Sequence, residues 1–262
     1  MKIAILTQDA PMYLTDFMRD FLGHLQETEH EVVFVVLYSA LSRQGVIATL
    51  RERYQYYGLV SFVHMLVHIV WHKLLDILSR LMPMNTTYSM KQTFTRFRVP
   101  IAEAISPNGE AFRERLKTEG VELLVSVACP RILKDPVLNT PPKGAINYHT
   151  ALLPKYRGRQ PLFWAMLHDE DEVGVTVHEM DSDIDNGPIV KQLRVPIDKE
   201  DSLHSLYLKT IKQGAPLLLE AIEHIASNSP ERIDNDSSQA TYFGFPTAED
   251  AANFRQKGKR FF

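Results

Sequence analysis

Two short apolar runs near the start of the chain constrain the fold most strongly. Residues 2–6 read KIAIL and residues 31–37 read EVVFVVL, and both compositions are typical of strands buried on both faces of a sheet. Between them, apolar residues repeat every four positions from Phe17 to Leu25, which predicts a helix capped at Thr15. The order strand, helix, strand predicts an α/β fold with a mostly parallel sheet flanked by helices.

Later segments extend this pattern. Residues 121–129 and 144–149 predict two further buried strands. Residues 173–180 and 189–195 alternate between apolar and polar positions, which indicates an antiparallel or mixed part of the same sheet. We therefore expect one body over residues 1–226.

Two other regions stand apart from that body. Residues 41–82 predict a helical insertion, and residues 227–262 predict a turn-rich linker followed by an aromatic and basic tail. The turn after the first strand contains no glycine, so the glycine-rich loops that bind dinucleotides or nucleoside triphosphates are absent there.

Composition excludes several classes of function. The 262 residues carry a net charge of −3, which gives no support for nucleic-acid binding through bulk charge. Cys129 is the single cysteine, so no internal disulfide forms and a cytoplasmic location is expected. The first apolar run is too short for a signal peptide.

Residues 59–82 form the longest apolar stretch of the chain. On a helix, the polar side chains would occupy about half of the circumference, so we expect an amphipathic helix and no membrane span. The simplest interpretation is a surface helix packed on the body; a homodimer contact and a helix lying on a membrane surface remain alternatives. His64, His68 and His72 share one face, but a solvated polar stripe is favoured over a metal site, and no metal is expected.

Polar residues suited to chemistry follow the predicted strand at 144–149. Asn147 and His149 are two positions apart, so both side chains point to one face of the strand. A later loop is acidic and contains Asp181, Asp183 and Asp185. A histidine and a carboxylate are suited to acid–base catalysis, and an asparagine amide can donate to an oxyanion. Taken singly, each has an ordinary structural alternative, as a turn cap, a buried histidine or solvated turn residues.

Two long motifs identify a resemblance. The runs NYHTALLPKYRGRQPLFWAM, from residue 147, and GVTVHEMDSDIDNGPIV, from residue 174, resemble the folate-dependent formyltransferase family. This family includes glycinamide ribonucleotide, methionyl-tRNA and sugar N-formyltransferases. The resemblance implies a Rossmann-like fold, 10-formyltetrahydrofolate as formyl donor, and a catalytic trio. By motif, the trio is Asn147, His149 and Asp185: the amide would donate to the oxyanion, the imidazole would help move the amine proton, and the carboxylate would orient the imidazole.

The resemblance also implies a folate site. It would lie at the loop after the strand at 121–129 and at the acidic loop, and its residues would be Ala128, Cys129, Pro130, Arg131, Ile132, Asp181 and Asp183. The chain departs from the family in two places. Thr150 and Ala151 replace a usual Pro-Ser pair, and Asp183 replaces a usual glycine, so the loop geometry differs while the trio is intact.

The acceptor is predicted to be a small amine. Lys155, Arg157 and Arg159 form a cationic cluster that could anchor a substrate phosphate or could be a solvated loop. Tyr242, in the aromatic tail, could stack on a nucleotide base. Since only about 35 residues follow the body, too few for the added domain of a tRNA enzyme, a nucleotide-linked amino sugar is the first choice. A methionyl-tRNA-type enzyme without that domain, a 10-formyltetrahydrofolate hydrolase and a non-catalytic binder remain alternatives.

Overall fold

A computed structural model describes residues 1–10, 12–39, 45–82, 86–102, 106–227 and 231–262. The strands in these ranges are β1 (Lys2–Asp9), β2 (Glu31–Ser39), β3 (Ile101–Ala102), β4 (Leu123–Val127), β5 (Ala145–His149), β6 (Arg157–Gly158), β7 (Glu172–Glu179), β8 (Ile189–Pro196) and β9 (Tyr242–Phe243). The α-helices are α1 (Leu14–Leu25), α2 (Val46–Leu81), α3 (Met90–Arg96), α4 (Glu110–Thr118), α5 (Asp135–Leu138), α6 (Pro161–Leu167), α7 (Leu203–Ala226) and α8 (Ala248–Gln256).

A seven-stranded sheet organises the body, in the order β3-β2-β1-β4-β5-β7-β8. The first five strands are parallel, while β7 runs antiparallel to both β5 and β8. This confirms the mostly parallel α/β fold and its antiparallel extension. The strand order changes direction between β1 and β4, and crevices at such points are where α/β proteins bind ligands.

Helix α1 begins two positions earlier than predicted. Its N-cap is Tyr13, whose side chain makes no capping hydrogen bond, and the helix starts at Leu14. The prediction of a cap at Thr15 is therefore wrong. Thr15 is instead buried within the helix, as are Phe17 and Phe21, which pack in the main core.

The C-terminal segment packs against the body and completes a second core. Phe254 of α8 is fully buried and stacks on Phe163 of α6, with 4.7 Å between ring centroids. Phe243 of β9 stacks on Trp164 in the same way, at 4.8 Å. The inward-facing aromatic residues of the tail therefore cover the helix that follows the predicted active-site loop.

Helix α2 fills most of the predicted insertion at 41–82; residues 41–44 lie outside the described residues. Gly58, with φ of 71°, interrupts the helical backbone. By length and composition, this is the one helix in the described part of the chain that could cross a membrane, yet only 6% of its most apolar window is buried. It is a surface helix, as predicted, but its orientation is the reverse of ordinary packing: polar residues such as His72 and Asp76 are half-buried, while Val60 and Val70 are exposed.

Candidate functional site

Strand β5 delivers two of the predicted trio. Asn147 and His149 lie two positions apart at the end of this strand, so their side chains share one face. Both approach Asp185 of the acidic loop: the amide nitrogen of Asn147 lies 3.3 Å from Oδ1, and Nδ1 of His149 lies 3.7 Å from Oδ2. The structure therefore brings the three side chains together.

Backbone geometry fixes the carboxylate of Asp185. The residue has φ of 50°, in the left-handed region that non-glycine residues rarely adopt. Gly187 follows, and a Cβ atom there would lie 2.1 Å from the carbonyl oxygen of Glu179. The loop thus turns tightly against the end of β7, and only glycine fits at its second corner.

The carboxylate is held ionised. Burial by itself would raise the pKa of Asp185, but the nearby His149, a hydrogen bond with His178 and the backbone N–H of Gly158 together lower that pKa well below its usual range. The favourable contacts therefore outweigh the desolvation of the charge. A fixed negative charge lies beside the imidazole across the pH range in which proteins are ordinarily folded.

The two nitrogens of His149 have different neighbours. Nε2 lies 3.0 Å from the carbonyl oxygen of Tyr156, to which it can donate a proton. Nδ1 faces Asp185, at a distance suited to an ion pair or a bridging water but too long for a direct hydrogen bond. A doubly protonated ring would therefore have an acceptor at each nitrogen, which suits a group that receives a proton during a reaction.

His178 is a fourth polar residue of the site, and sequence reasoning missed it. Antiparallel pairing of β5 and β7 sets it directly opposite Asn147. Its Nε2 atom lies 3.2 Å from the amide nitrogen of Asn147 and 3.5 Å from Oδ1 of Asp185, while Nδ1 lies 2.7 Å from the carbonyl oxygen of Glu179. The sequence signal was a histidine in an alternating strand on the same face as Thr176.

The loop predicted to bind folate begins next to the trio. Val127 pairs with Tyr148, so the residues after β4 leave the sheet beside the end of β5. Ala128 is exposed with φ of 53°, and Ile132 is exposed. Burial raises the pKa of the Cys129 thiol to about 11, which leaves it protonated and unreactive. The loop is largely exposed and lies at the carboxyl edge of the sheet; its role in folate binding stays a prediction.

The first two aspartates of the acidic loop have structural contacts. Asp181 accepts the backbone N–H of Asp183 at 3.0 Å and the side-chain amide of Asn186 at 2.8 Å. Asp183 itself is exposed. These contacts shape the turn that presents Asp185, and the assignment of Asp181 and Asp183 to the folate site stays a prediction.

The cationic cluster does not converge on one site. Arg157 is buried and donates to Asn186 and Asn235, with the nearest contact at 2.8 Å. Its guanidinium thus ties β6 to the acidic loop and to the linker, and its role in anchoring a substrate phosphate stays a prediction. Lys155 is exposed and lies 3.6 Å from a carboxylate oxygen of Glu170.

Two other predicted substrate residues face solvent. Arg159 is exposed, and its guanidinium lies over the ring of Phe245, 4.8 Å from the centroid. Tyr242 is 59% exposed, unlike the other tail aromatics, which turn inward. Both remain available to a ligand, and their role stays a prediction.

The histidine stripe of α2 makes aromatic contacts. His68 stacks on Phe262, with 5.7 Å between ring centroids, and lies 5.3 Å from the ring of His204. Across the described residues, no group of three or more histidine, cysteine, aspartate or glutamate side chains is arranged to hold a metal ion.

Comparison with known proteins places the chain in a family. Residues 80–222 match the model of the formyl transferase family. The methionyl-tRNA formyltransferase of Kosmotoga olearia is 36% identical over 162 residues, which are 62% of this chain and 52% of the relative. That of Desulforamulus reducens is 33% identical over 58% of this chain and 48% of its own length. The chain therefore spans about half the length of the curated relatives it matches.

Solved structures share the fold. A glycinamide ribonucleotide transformylase from Symbiobacterium toebii superposes with a TM-score of 0.60 at 20% identity, covering 90% of this chain and 94% of its own. An N-formyltransferase from Helicobacter canadensis, solved with folinic acid and dTDP-3-aminofucose, gives 0.60 at 18% identity, with coverage of 97% and 80%. Because the family model covers more than half of the sequence and includes both β5 and the acidic loop, the chain belongs to the formyl transferase family.

Proposed function

We propose that this protein transfers the formyl group of 10-formyltetrahydrofolate to a primary amine. The observation that carries the proposal is the convergence of Asn147 and His149, at the end of β5, on the ionised carboxylate of Asp185 in the acidic loop. Formyl transfer to an amine passes through a tetrahedral oxyanion and requires the amine to lose a proton, and an amide, an imidazole and a carboxylate meet those requirements.

Each residue has a defined task in this proposal. His149 accepts the amine proton at Nδ1, and the negative charge of Asp185 stabilises the resulting imidazolium. When the tetrahedral intermediate collapses, the bond between the formyl carbon and N10 of the folate breaks, and the imidazolium returns the proton to that leaving nitrogen. Asn147 donates to the oxyanion from its amide nitrogen. That nitrogen lies 3.2–3.3 Å from both His178 and Asp185 in the free protein. The amide must therefore break one of these two long contacts in order to donate to the oxyanion.

We further propose that the acceptor is a small amine, with a nucleotide-linked amino sugar as first choice. The basic residues of the C-terminal segment support this. In residues 231–262, each basic side chain contacts the body: Arg232 with Glu179, Arg255 with the carbonyl of Tyr56, Lys257 and Lys259 with Asp169, and Arg260 with Glu200. Recognition of tRNA relies on free cationic side chains that neutralise phosphates, and these side chains are already paired.

Methionyl-tRNA is the second candidate acceptor, because the curated relatives at 33–36% identity are named methionyl-tRNA formyltransferases. One experiment separates the candidates. In parallel reactions, the protein is incubated with 10-formyltetrahydrofolate and one of three additions: a panel of nucleotide-linked amino sugars, methionyl-tRNA, or no amine. Products are identified by the mass gain of one formyl group.

The matched control is Asp185→Asn, which keeps the size of the side chain and removes its charge. Formylation of an amino sugar by the wild type, lost in the variant, is the expected result. Formylation of methionyl-tRNA alone would overturn the choice of acceptor. Rapid release of formate without any amine would identify a hydrolase and overturn the proposed transfer.

A further inference from the structure

The exposed side of α2 carries a regular seam of apolar residues. After the break at Gly58, the spacing between them alternates between three and four residues, which is the repeat of a coiled-coil contact. The seam consists of Val60, Val63, Val67, Val70, Leu74, Ile77 and Leu81. Each of these residues is between 43% and 77% exposed. The pattern is sustained over three heptads, and nothing in the described part of this chain covers it.

Contacts on the opposite side fix the orientation of the helix. Gln92 donates to the carbonyl oxygen of Asp76 at 3.1 Å and to the hydroxyl of Ser79 at 2.7 Å. Met65 is buried, and His68 stacks on Phe262 of the tail. Because the polar side of α2 is held against the body, the helix cannot bury its seam by rotating.

The seam extends along the second part of α2. From Val60 to Leu81 it runs about 32 Å, at about 1.5 Å per residue. The exposed residues Leu59, Trp71 and Leu78 widen it on both sides. Contiguous apolar patches above a few hundred Å² mark interaction sites in soluble proteins. A partner that covers this face would gain the free energy of burying it.

We propose that the seam pairs two copies of this chain as a homodimer. A second copy presents the same heptad seam, so a two-fold axis makes the contact self-complementary. A lipid surface is less well matched: it needs no heptad repeat and favours a polar face rich in lysine and arginine. Between residues 59 and 81 the basic residues are Lys73 and Arg80, too few for a polar face rich in lysine and arginine.

The test measures the mass of the full chain in solution by light scattering during size-exclusion chromatography. The wild type is expected at twice the chain mass of 30.0 kDa. Val67→Glu/Leu74→Glu places two charges on the seam and is expected to weaken dimerisation by roughly a hundredfold or more, since buried interface positions dominate binding energy. Ile233→Glu is the matched control: Ile233 is 57% exposed, against 55% for Ile77 of the seam, and lies outside α2.

Circular dichroism checks that the double variant keeps its helical content. If it does not fold, Val67→Gln/Leu74→Gln, with residues that favour helices, takes its place. A wild-type monomer, a dimer that survives the seam substitutions, or a control that dissociates equally would overturn the proposal. So would a monomer that co-sediments with vesicles of phosphatidylcholine and phosphatidylserine, because the seam would then bind lipid.

Discussion

Gly158 donates its backbone N–H to Oδ2 of Asp185 at 2.8 Å, so the carboxylate at the centre of the site is held by the backbone of a different segment. Gly158 lies in β6, which pairs with β9 of the C-terminal segment. It has φ of 98°, and a Cβ atom there would lie 2.2 Å from the carbonyl oxygen of Phe243. The position of Asp185 therefore depends on how closely the tail packs against β6.

Gly158→Ala tests that dependence. The added methyl group clashes with backbone and meets a φ that L-residues avoid, so we expect a loss of about 1–3 kcal/mol in the free energy of unfolding. Displacement of the carboxylate should also lower kcat by up to about 10²-fold. Gly23→Ala is the control: it lies within α1 with open space around it, and should stabilise by about 0.5–1 kcal/mol. Urea unfolding and steady-state kinetics measure both effects.

Asp185→Asn separates catalysis from binding. The variant keeps an oxygen that can accept from Gly158 but removes the charge 3.7 Å from Nδ1 of His149. We expect kcat to fall by about 10²-fold or more, while the dissociation constant for the folate changes little. Turnover at the wild-type rate combined with lost folate binding, measured by fluorescence titration, would contradict this assignment.

The wild type and Asp185→Asn are also expected to differ in how their stability depends on pH. Since the folded protein lowers the pKa of Asp185 below its value of about 3.9 in an unfolded chain, ionisation of this group stabilises the native state at neutral pH. That contribution is present above about pH 4 and is lost as the pH falls toward the folded pKa. The difference in unfolding free energy between wild type and Asp185→Asn should therefore shrink between pH 6 and pH 3 in denaturant titrations. A difference that is constant or grows would show that the charge is not the stabilising feature.

His178 is expected to position the catalytic residues without contacting the substrate. His178→Ala removes the ring that lies 3.2 Å from the amide of Asn147 and 3.5 Å from Asp185. We expect kcat to fall by about 10–10²-fold with KM nearly unchanged, because misplaced groups cost rate rather than binding. His178→Gln, which can still hydrogen-bond to Asn147, should recover part of the loss. Equal activity in both variants and the wild type would remove His178 from the site.

Local patterns predicted the framework of the site well. Buried runs gave the parallel strands, and period-two alternation at Asn147 and His149 correctly put both side chains on one face. The motif that carries Asp185 predicted its place beside them. The strand features were accessible because each depends on residues close together in sequence, whereas the place of Asp185, 38 residues from Asn147, followed from the family resemblance of its motif.

Features that depend on distant contacts escaped prediction. His178 reaches the site only through antiparallel pairing with β5, whose register the sequence does not state. Arg157 turns inward to hydrogen-bond with Asn235, which lies 78 residues away in sequence. No local pattern indicates such a contact. The polar and apolar faces of α2 were evident, but which face meets the body depends on partners such as Gln92 and Phe262.

The most direct test of the account is the rate of formyl transfer by His149→Ala, measured under single-turnover conditions with an acceptor that the wild type formylates. Loss of the imidazole removes the group that accepts the amine proton, so we expect the rate to fall by about 10²–10⁴-fold. Because the side chain is buried at the end of β5, its removal can also lower stability, so thermal unfolding is measured alongside. A folded variant that transfers formyl at the wild-type rate would contradict the central claim.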